Sequence, residues 1–348
     1  MKTQSLLMEL YKNPTAELVY SVLTLDERFS DEIHEFSANV RNKVHDRVIH
    51  LRGIIEISNY CIHNCSYCGI GRECSGVNRY RMSEGEIIEN AVYANALGYK
   101  TVVLQSGEDS YFSAETLGRI VQNIKKKADV AVTLSCGEYS LDEYRFLHQS
   151  GCDRYLLRFE TSSEEIYSKM HEGQKFQERI QSLHSIYESG IQTGSGFLIG
   201  ITPDLVSLTD DIMLCRSLDL DMIGCGPLIA DPATSMKDFI FPFEKEIAFR
   251  TMAIMRIICP WAHIPATTAF DAFSPQGRVK VLDSAANVFM PNVTPLKFKL
   301  NYNLYPKKTS VDESAELSFE SSKKLIESRG FITGQGYGHS IRKGYFQS

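Results

Sequence analysis

The chain of 348 residues has no long apolar run and no surplus of positive charge. No stretch approaches the roughly 18 to 20 apolar residues that a membrane span requires, and residues 1–14 hold too short an apolar run for a secretory signal peptide. The formal net charge of −6 and the pI near 5.9 give no sign of binding to nucleic acid or to an anionic membrane. We therefore expect a cytoplasmic protein that binds neither nucleic acid nor membrane.

The nine cysteines do not form the pattern of a disulfide framework or of a structural zinc site. Their number is odd, no secretory signal precedes them, and a chain of this size does not need disulfides for stability. Structural zinc is nearly always four-coordinate, with its ligands in two pairs, whereas the sequence has no second CxxC and no HxxxH. Zinc stays only as an alternative for the cysteines that do cluster.

Three cysteines, Cys61, Cys65 and Cys68, lie within one short segment after the apolar residues 54–58. The spacing CxxxCxxC lets one loop offer three thiolates to three corners of a cube-like iron–sulfur cluster. Such clusters normally take four cysteine ligands, so three ligands leave one iron open for a small molecule to chelate. Cys74 follows six residues later, and its role stays open.

From residue 48 onward, short apolar strands alternate with amphipathic helices. Eight βα units predict an α/β fold, a closed (β/α)8 TIM-type barrel, with a doubly wound open sheet as the alternative. We assign residues 1–45 to an N-terminal helical cap, 46–295 to the barrel and 296–348 to a C-terminal extension whose last dozen residues we expect to be loosely ordered. The predicted strands are 48–58, 101–107, 130–137, 154–161, 192–200, 222–229, 263–270 and 286–292.

Strand alternation places many polar side chains inside the predicted barrel. Barrel interiors are usually filled by Val, Ile and Leu, and buried charges are costly unless they are paired. We therefore expect the lumen to hold a charged ligand; a structural pairing of Arg158 with Glu56 or Glu160 is the alternative. The inward-facing set is Arg52, Glu56, Ser58, Thr133, Ser135, Arg154, Arg158, Glu160, Thr193 and Ser195.

The cysteine spacing, with Tyr67 directly before the third cysteine, resembles the signature of the radical S-adenosylmethionine (radical SAM) superfamily. Within that superfamily the sequence from about residue 48 to 306 is similar to the HydE family of [FeFe]-hydrogenase maturases; biotin synthase and methylornithine synthase look like more distant relatives. The segments that carry the resemblance are IIEISN (54–59), RYRM (79–82), VLQSGED (103–109), DRYLLR (153–158), IPATTA (264–269) and ANVFMPN (286–292).

The resemblance implies a [4Fe-4S] cluster on Cys61, Cys65 and Cys68 that chelates S-adenosylmethionine (SAM) and cleaves it to a 5′-deoxyadenosyl radical. It also implies that the turn 107–109 offers backbone carbonyls to the SAM ammonium group and that Arg179 pairs with the SAM carboxylate. The implied cofactor-binding residues are Tyr67, Gln105, Gly107, Glu108, Ser135, Glu160 and Arg179. The implied substrate-binding residues are Thr133, Arg158, Thr267, Thr268 and Tyr305, to which we add the inward-facing Arg52.

The implied substrate is a small or organometallic molecule, such as an iron–cysteine complex that carries CO and cyanide. The implied partners are other hydrogenase maturases and an electron donor such as ferredoxin or flavodoxin. Two features depart from the family: residues 306–330 lack the three cysteines that often hold a second cluster, and Phe159 replaces a frequent His. A paralogue with another small substrate and a non-catalytic iron–sulfur carrier remain as alternatives.

Overall fold

The computed structural model describes residues 2–306 and 313–342. Helices and short strands alternate through most of this range, after three N-terminal helices and before a C-terminal helix and strand. The helices are α1 Lys2–Lys12, α2 Ala16–Leu23, α3 Ser30–His45, α4 Glu84–Leu97, α5 Ala114–Lys127, α6 Leu141–Gln149, α7 Glu164–Met170, α8 Phe176–Glu188, α9 Leu205–Ser217, α10 Lys245–Ile258, α11 Ala269–Phe273, α12 Gly277–Ser284, α13 Leu296–Lys299 and α14 Ala315–Ser328. The strands are β1 Val48–Leu51, β2 Gly53–Ser58, β3 Thr101–Ser106, β4 Ala131–Ser135, β5 Arg154–Leu156, β6 Gln192–Ser195, β7 Leu198–Ile199, β8 Met222–Ile223, β9 Gly226–Pro227, β10 Pro265–Ala266, β11 Val288–Phe289 and β12 Ile332–Thr333.

The strands close into a ring of eight parallel positions. β1 and β2 together form the first position, and β2, β3, β4, β5, β6 and β8 pair in that order. A parallel bridge between Met222 and His263 joins the sixth position to the seventh. Pairing of β10 with β11 and of β11 with β1 completes the ring. The predicted (β/α)8 barrel is confirmed, and the open-sheet alternative is wrong.

Local sequence signals begin and end the outer helices. The hydroxyl of Ser83 accepts a hydrogen bond from Glu86 N, and the Glu86 carboxylate accepts one from Ser83 N, so that the predicted capping box starts α4. Gly98 ends the same helix with a φ of 112°, a conformation that glycine adopts without steric cost. Such caps set the two ends of α4.

The N-terminal helices α1, α2 and α3 pack against α9, α10 and α12. Arg41 of α3 is buried there and donates hydrogen bonds to the carbonyl oxygens of Leu282 and Ala286. The division at residues 45 and 295 stays a prediction. No helix of the described residues is long and apolar enough to span a membrane.

The side chains of β6, the strand that was predicted as residues 192–200, face the opposite way from the prediction. A Cβ atom at Gly194 would contact the side chains of Leu156 and Met222, and Gln192 reaches the interior imidazole of His339. Thr193 and Ser195, one residue out of phase with these, therefore face away from the lumen. Alternation alone could not set the phase because all four residues of β6 are buried.

The C-terminal segment closes the floor of the barrel, at the N-terminal ends of the strands. β12 pairs in parallel with β1. The segment after β12 then crosses the opening, where Arg154 donates to the carbonyl oxygen of Tyr337 at 2.6 Å and Arg52 donates to that of Gly338 at 3.2 Å. Residues 337–342 are thus bonded in place, which corrects the expectation of loose order there; residues 343–348 lie outside the described range.

These floor contacts also correct the interpretation of the charged lumen. Arg52 and Arg154 do face inward and are buried, at 4% and 0% exposure. Their guanidinium groups, however, bind the protein's own backbone at the end of the barrel away from the cysteines. Arg52 also donates to the Met222 sulfur at 3.0 Å. Their charge does not require a bound ligand.

Removal of the segment after β12 should destabilise the barrel. In a chain that ends at Thr333, Arg52 and Arg154 lose the carbonyl oxygens of Gly338 and Tyr337, and a hydrogen bond from a charged group contributes about 1.5–3 kcal/mol. We expect the free energy of unfolding, measured by urea denaturation, to fall by about 3–6 kcal/mol. A chain that ends at Arg342 keeps the floor contacts of the described residues and is the control; equal stability of the two chains would contradict the role of the floor.

Candidate active site

The three clustered cysteines lie on the loop that follows β2, at the C-terminal end of the first barrel position. Each of the three residues is half-buried. The loop is held by its own backbone, since Cys68 N donates to Cys65 O at 3.1 Å. Arg79 also donates to the carbonyl oxygens of Ile70 and Gly71 at 2.7 and 2.5 Å. These hydrogen bonds hold the shape of the loop.

The surroundings of the three thiols disfavour their negative charge. Burial raises the pKa of all three, that of Cys65 to about 12. The Cys61 thiolate raises the pKa of Cys65 further, and the thiolates of Cys65 and Cys61 raise that of Cys68. A metal centre would supply the positive charge that such thiolates require. No group of three or more His, Cys, Asp or Glu side chains among the described residues is arranged to hold a single metal ion. The Cys74 thiol lies 3.4 Å from Cys68 O and stays unassigned.

The turn after β3 packs directly against the cysteine loop. A Cβ atom at Gly107 would lie 2.3 Å from Tyr60 O and 2.8 Å from Cys61 Cβ, so only glycine allows this approach. Ile62 N donates to Glu108 O at 2.9 Å. The Glu108 carboxylate turns back to His63 of the same loop, at 3.2 Å.

Asp109, the third residue of the turn, locks the two segments together. Its carboxylate accepts from Ser58 Oγ at 2.7 Å and from two nitrogens of Arg81 at 2.7 and 2.9 Å. These bonds lower the pKa of Asp109 although burial opposes them. The sequence assigned no role to this aspartate beyond its place in the motif.

The upper lumen carries a polar layer across three adjacent strands. Glu56 is in register with Gln105, and Gln105 is in register with Ser135. Thr133 lies one inward step deeper, and its hydroxyl has no hydrogen-bond partner among the described residues. Buried polar atoms are normally paired, so this hydroxyl is available to a ligand.

Arg158 and Glu160 form an ion pair above β5. Arg158 NH2 lies 3.1 Å from a Glu160 carboxylate oxygen and donates to Phe197 O at 2.7 Å. The pairing that the sequence left as an alternative therefore exists, but the side chains keep 30% and 17% exposure, and Arg158 Nε has no partner in the described chain. Glu160 has a φ of 66°, a strained conformation for a non-glycine residue that is typical of functional sites.

Arg179 lies inside the site rather than on the surface. Its side chain is 11% exposed and lies 2.9 Å from Glu138. It also donates to the Tyr167 hydroxyl at 3.0 Å and to Gln174 Oε1 at 2.8 Å. Burial raises the pKa of Glu160, and the charges of Arg158 and Arg179 counteract that rise, so both guanidinium groups act on the same carboxylate.

Tyr67 joins the cysteine loop to the turn between α7 and α8. Its hydroxyl lies 2.9 Å from His171 Nε2. Because His171 Nδ1 lies 2.9 Å from Tyr167 O, a carbonyl that can only accept, Nε2 is the acceptor and Tyr67 donates. The Tyr67 ring packs on an apolar cluster of Leu198, Ile201 and Leu228.

The predicted substrate-binding residues Thr267 and Thr268 follow β10, at the seventh barrel position, and lie near Tyr305. Thr268 Oγ1 is hydrogen-bonded to the Tyr305 hydroxyl, and Thr267 Oγ1 donates to Cys225 O at 3.4 Å. Burial raises the pKa of Tyr305, while the hydrogen bond from Thr268 and the charges of Arg278 and Arg158 lower it. Tyr305 is thus within electrostatic range of Arg158.

The structure brings most of the predicted site residues to one end of the barrel; Arg52, at the floor, and Thr133, in register with Arg154, lie deeper. Sequence reasoning missed His171, Gln174 and Glu138, which contact Tyr67 and Arg179. These three lie in irregular or polar sequence contexts, where periodicity carries no signal; only the glycine of the turn, Gly173 with a φ of 76°, indicated a tight loop. The residues placed at the open end are Cys61, Cys65, Tyr67, Cys68, Gln105, Gly107, Glu108, Ser135, Arg158, Glu160, Arg179, Thr267, Thr268 and Tyr305.

Comparison with known proteins places this arrangement among characterised relatives. The family model of the Radical SAM superfamily matches residues 55–207. The chain is 37% identical over 330 residues to the [FeFe] hydrogenase maturase subunit HydE of Thermotoga maritima, with 93% of each chain covered. It is 26% identical to the 3-methylornithine synthase of Methanosarcina acetivorans, with 81% of each covered.

Two solved structures share the fold. Methylornithine synthase (PylB) aligns with a TM-score of 0.84 at 21% identity, over 94% of this chain and 97% of that one. HydG from Carboxydothermus hydrogenoformans aligns with a TM-score of 0.81 at 19% identity, over 96% of this chain and 79% of that one. At these identities the likeness concerns the fold alone.

Gly107→Ala should separate the turn from the cysteine loop. The new methyl group would overlap backbone atoms of Tyr60, which cannot move without displacing Cys61. We expect anaerobically reconstituted protein to bind less than half of the wild-type iron, measured by chelation assay after desalting. Gly85→Ala is the control, because its Cβ meets open space within α4 and alanine favours helix. Equal iron in the two variants would contradict the steric argument.

Proposed function

Because this chain belongs to the radical SAM superfamily and to the HydE family within it, we propose that it acts in assembly of the active-site cluster of [FeFe]-hydrogenase. It is a radical SAM enzyme, and its cofactors are a [4Fe-4S] cluster and SAM. When bound, the cluster supplies the electron that splits SAM into methionine and a 5′-deoxyadenosyl radical. The observation that carries the proposal is the convergence of three thiols, the turn packed on them and a polar lumen at one end of a single barrel.

Cys61, Cys65 and Cys68 are the proposed cluster ligands. They share one short loop, and the thiolate of Cys61 raises the pKa of both Cys65 and Cys68, which supports a common site. Backbone hydrogen bonds within the loop, such as that from Cys68 N to Cys65 O, would hold the ligands in place around a cluster.

Arg179 and Glu160 are the proposed partners of SAM. Arg179 presents a guanidinium group suited to a carboxylate, held in place by Glu138. Glu160 faces the same space and accepts hydrogen bonds from ammonium or hydroxyl groups. Gln105 and Ser135 line the adjoining strands. These residues would orient the cosubstrate, and the buried position of Tyr67 would exclude water from its side.

The substrate is proposed to bind between Arg158 and the residues that follow β10, at the seventh barrel position. Arg158 Nε and Thr133 Oγ1 lack partners among the described residues, and Thr268 with Tyr305 forms the facing wall. An anionic or amino-acid-like group satisfies these donors. Such a group fits the organometallic iron–cysteine substrate that the family resemblance implies.

We place the reaction in the cytoplasm, with other maturases as partners and a ferredoxin or flavodoxin as electron donor. All nine cysteines are free, as a reducing compartment requires. The alternative of a non-catalytic iron–sulfur carrier loses support because the family consists of enzymes. The experiments below address the other alternative, a paralogue with another small substrate.

The cluster assignment is tested by replacing all three cysteines. Protein in which Cys61, Cys65 and Cys68 are alanine should bind no four-iron cluster and form no 5′-deoxyadenosine from SAM and dithionite. The other neighbouring cysteines, Cys215, Cys225 and Cys259, are buried in the apolar core, where a free cysteine acts as a small hydrophobic residue. Iron assay and mass spectrometry of the nucleoside measure the two losses. Cys74→Ala, in the same loop, is the matched control and should keep both. A triple variant that retains its iron would refute the assignment.

The substrate pocket is tested through Arg158. Arg158→Leu should keep the iron content, yet lose the thermal stabilisation that added cysteine gives to the wild type, because the apolar side chain cannot pair with a carboxylate. The shift in melting temperature is measured by thermal unfolding with and without added cysteine, at a concentration on the order of tens of millimolar. Arg145→Leu, on the exposed face of α6, is the control. If Arg158→Leu responds to cysteine as the wild type does, Arg158 is only a partner of Glu160.

A further inference from the structure

The turn between α7 and α8 contacts the cysteine loop at several points. Ser66 N donates to Met170 O at 2.9 Å, and the Tyr67 hydroxyl lies 2.9 Å from His171 Nε2. The side chain of Gln174 then reaches the loop directly, with Nε2 3.7 Å from Cys65 Sγ. Sulfur is larger than oxygen, so this separation is a hydrogen-bond distance for a thiol or thiolate acceptor.

The orientation of the Gln174 amide is decided by its other neighbour. Arg179 NH2 lies 2.8 Å from Gln174 Oε1. A guanidinium group only donates hydrogen bonds, so the atom that faces it must be the amide oxygen. The amide nitrogen is therefore the atom that faces Cys65, and the usual ambiguity between the two ends of the amide does not arise.

Arg179 is itself fixed and cannot release the amide easily. Glu138 lies 2.9 Å from Arg179, and Glu138 in turn accepts from Ser182 Oγ at 2.6 Å. A continuous chain of contacts thus runs from α8 to the cysteine sulfur.

We propose that Gln174, oriented by Arg179, is a positioning residue that donates its amide N–H to the Cys65 sulfur and raises the reduction potential of the cluster. This inference rests on the proposed role of Cys65 as a ligand. Reduction adds negative charge to a cluster and its thiolates, and a donor directed at the sulfur stabilises that charge. The amide does this without a charge of its own, and the site stays accessible to SAM.

The test is the midpoint potential of the reconstituted full-length chain, followed by electron paramagnetic resonance during a redox titration. Gln174→Leu removes the donor at similar volume, and Gln174→Glu keeps an acceptor for Arg179 but directs a carboxylate at the sulfur. At the wild-type midpoint potential we expect the ratio of reduced to oxidised cluster to fall about tenfold in Gln174→Leu, which corresponds to about 59 mV for one electron. It should fall further in Gln174→Glu.

The control is Gln181→Leu, on the exposed side of α8, which should keep the wild-type potential and iron content. Unchanged potentials in both Gln174 variants overturn the inference. Loss of iron from both variants, with the control intact, also overturns it, because Gln174 would then serve to retain the cluster rather than to tune it. A wild-type chain that binds no cluster, or a Cys65→Ala variant that keeps it, shows instead that the proposed function has failed.

Discussion

The cost of placing charge inside a barrel governs this structure. A buried charge is tolerated only when it is paired or bound, and this lumen contains several arginines and carboxylates. At the floor, the guanidinium groups of Arg52 and Arg154 donate hydrogen bonds to backbone carbonyl oxygens of the C-terminal segment. At the open end, Arg158 pairs with Glu160 and Arg179 with Glu138.

This difference between the two ends separates stability from function. The floor bonds use the chain's own backbone and form when the protein folds. The ion pair at the open end is accessible, since the side chains of Arg158 and Glu160 keep 30% and 17% exposure, whereas Arg52 and Arg154 are buried. The C-terminal ends of the strands are also where this fold places its active sites.

The cysteine loop depends on contacts with the rest of the barrel mouth. Gly107 allows the neighbouring turn to lie against Cys61, and Asp109 ties that turn to Arg81. From the other side, His171 and Gln174 hold Tyr67 and Cys65. The thiols are therefore positioned by two flanking segments from different barrel positions, which makes their geometry a property of the closed barrel rather than of the loop alone.

The sequence by itself determined the fold class and the cysteine motif, because these depend on local periodicity and spacing. The closure of the barrel also followed from eight repeated units. Only the tertiary structure decided the phase of β6, where every residue is buried and alternation has no polar face to mark. It also decided the partners of Arg52 and Arg154, since a glycine-rich tail far along the chain shows no pattern that predicts docking. The contacts of His171, Gln174 and Glu138 with the site are of the same kind: they arise between segments distant in sequence, through hydrogen bonds that leave no periodic trace.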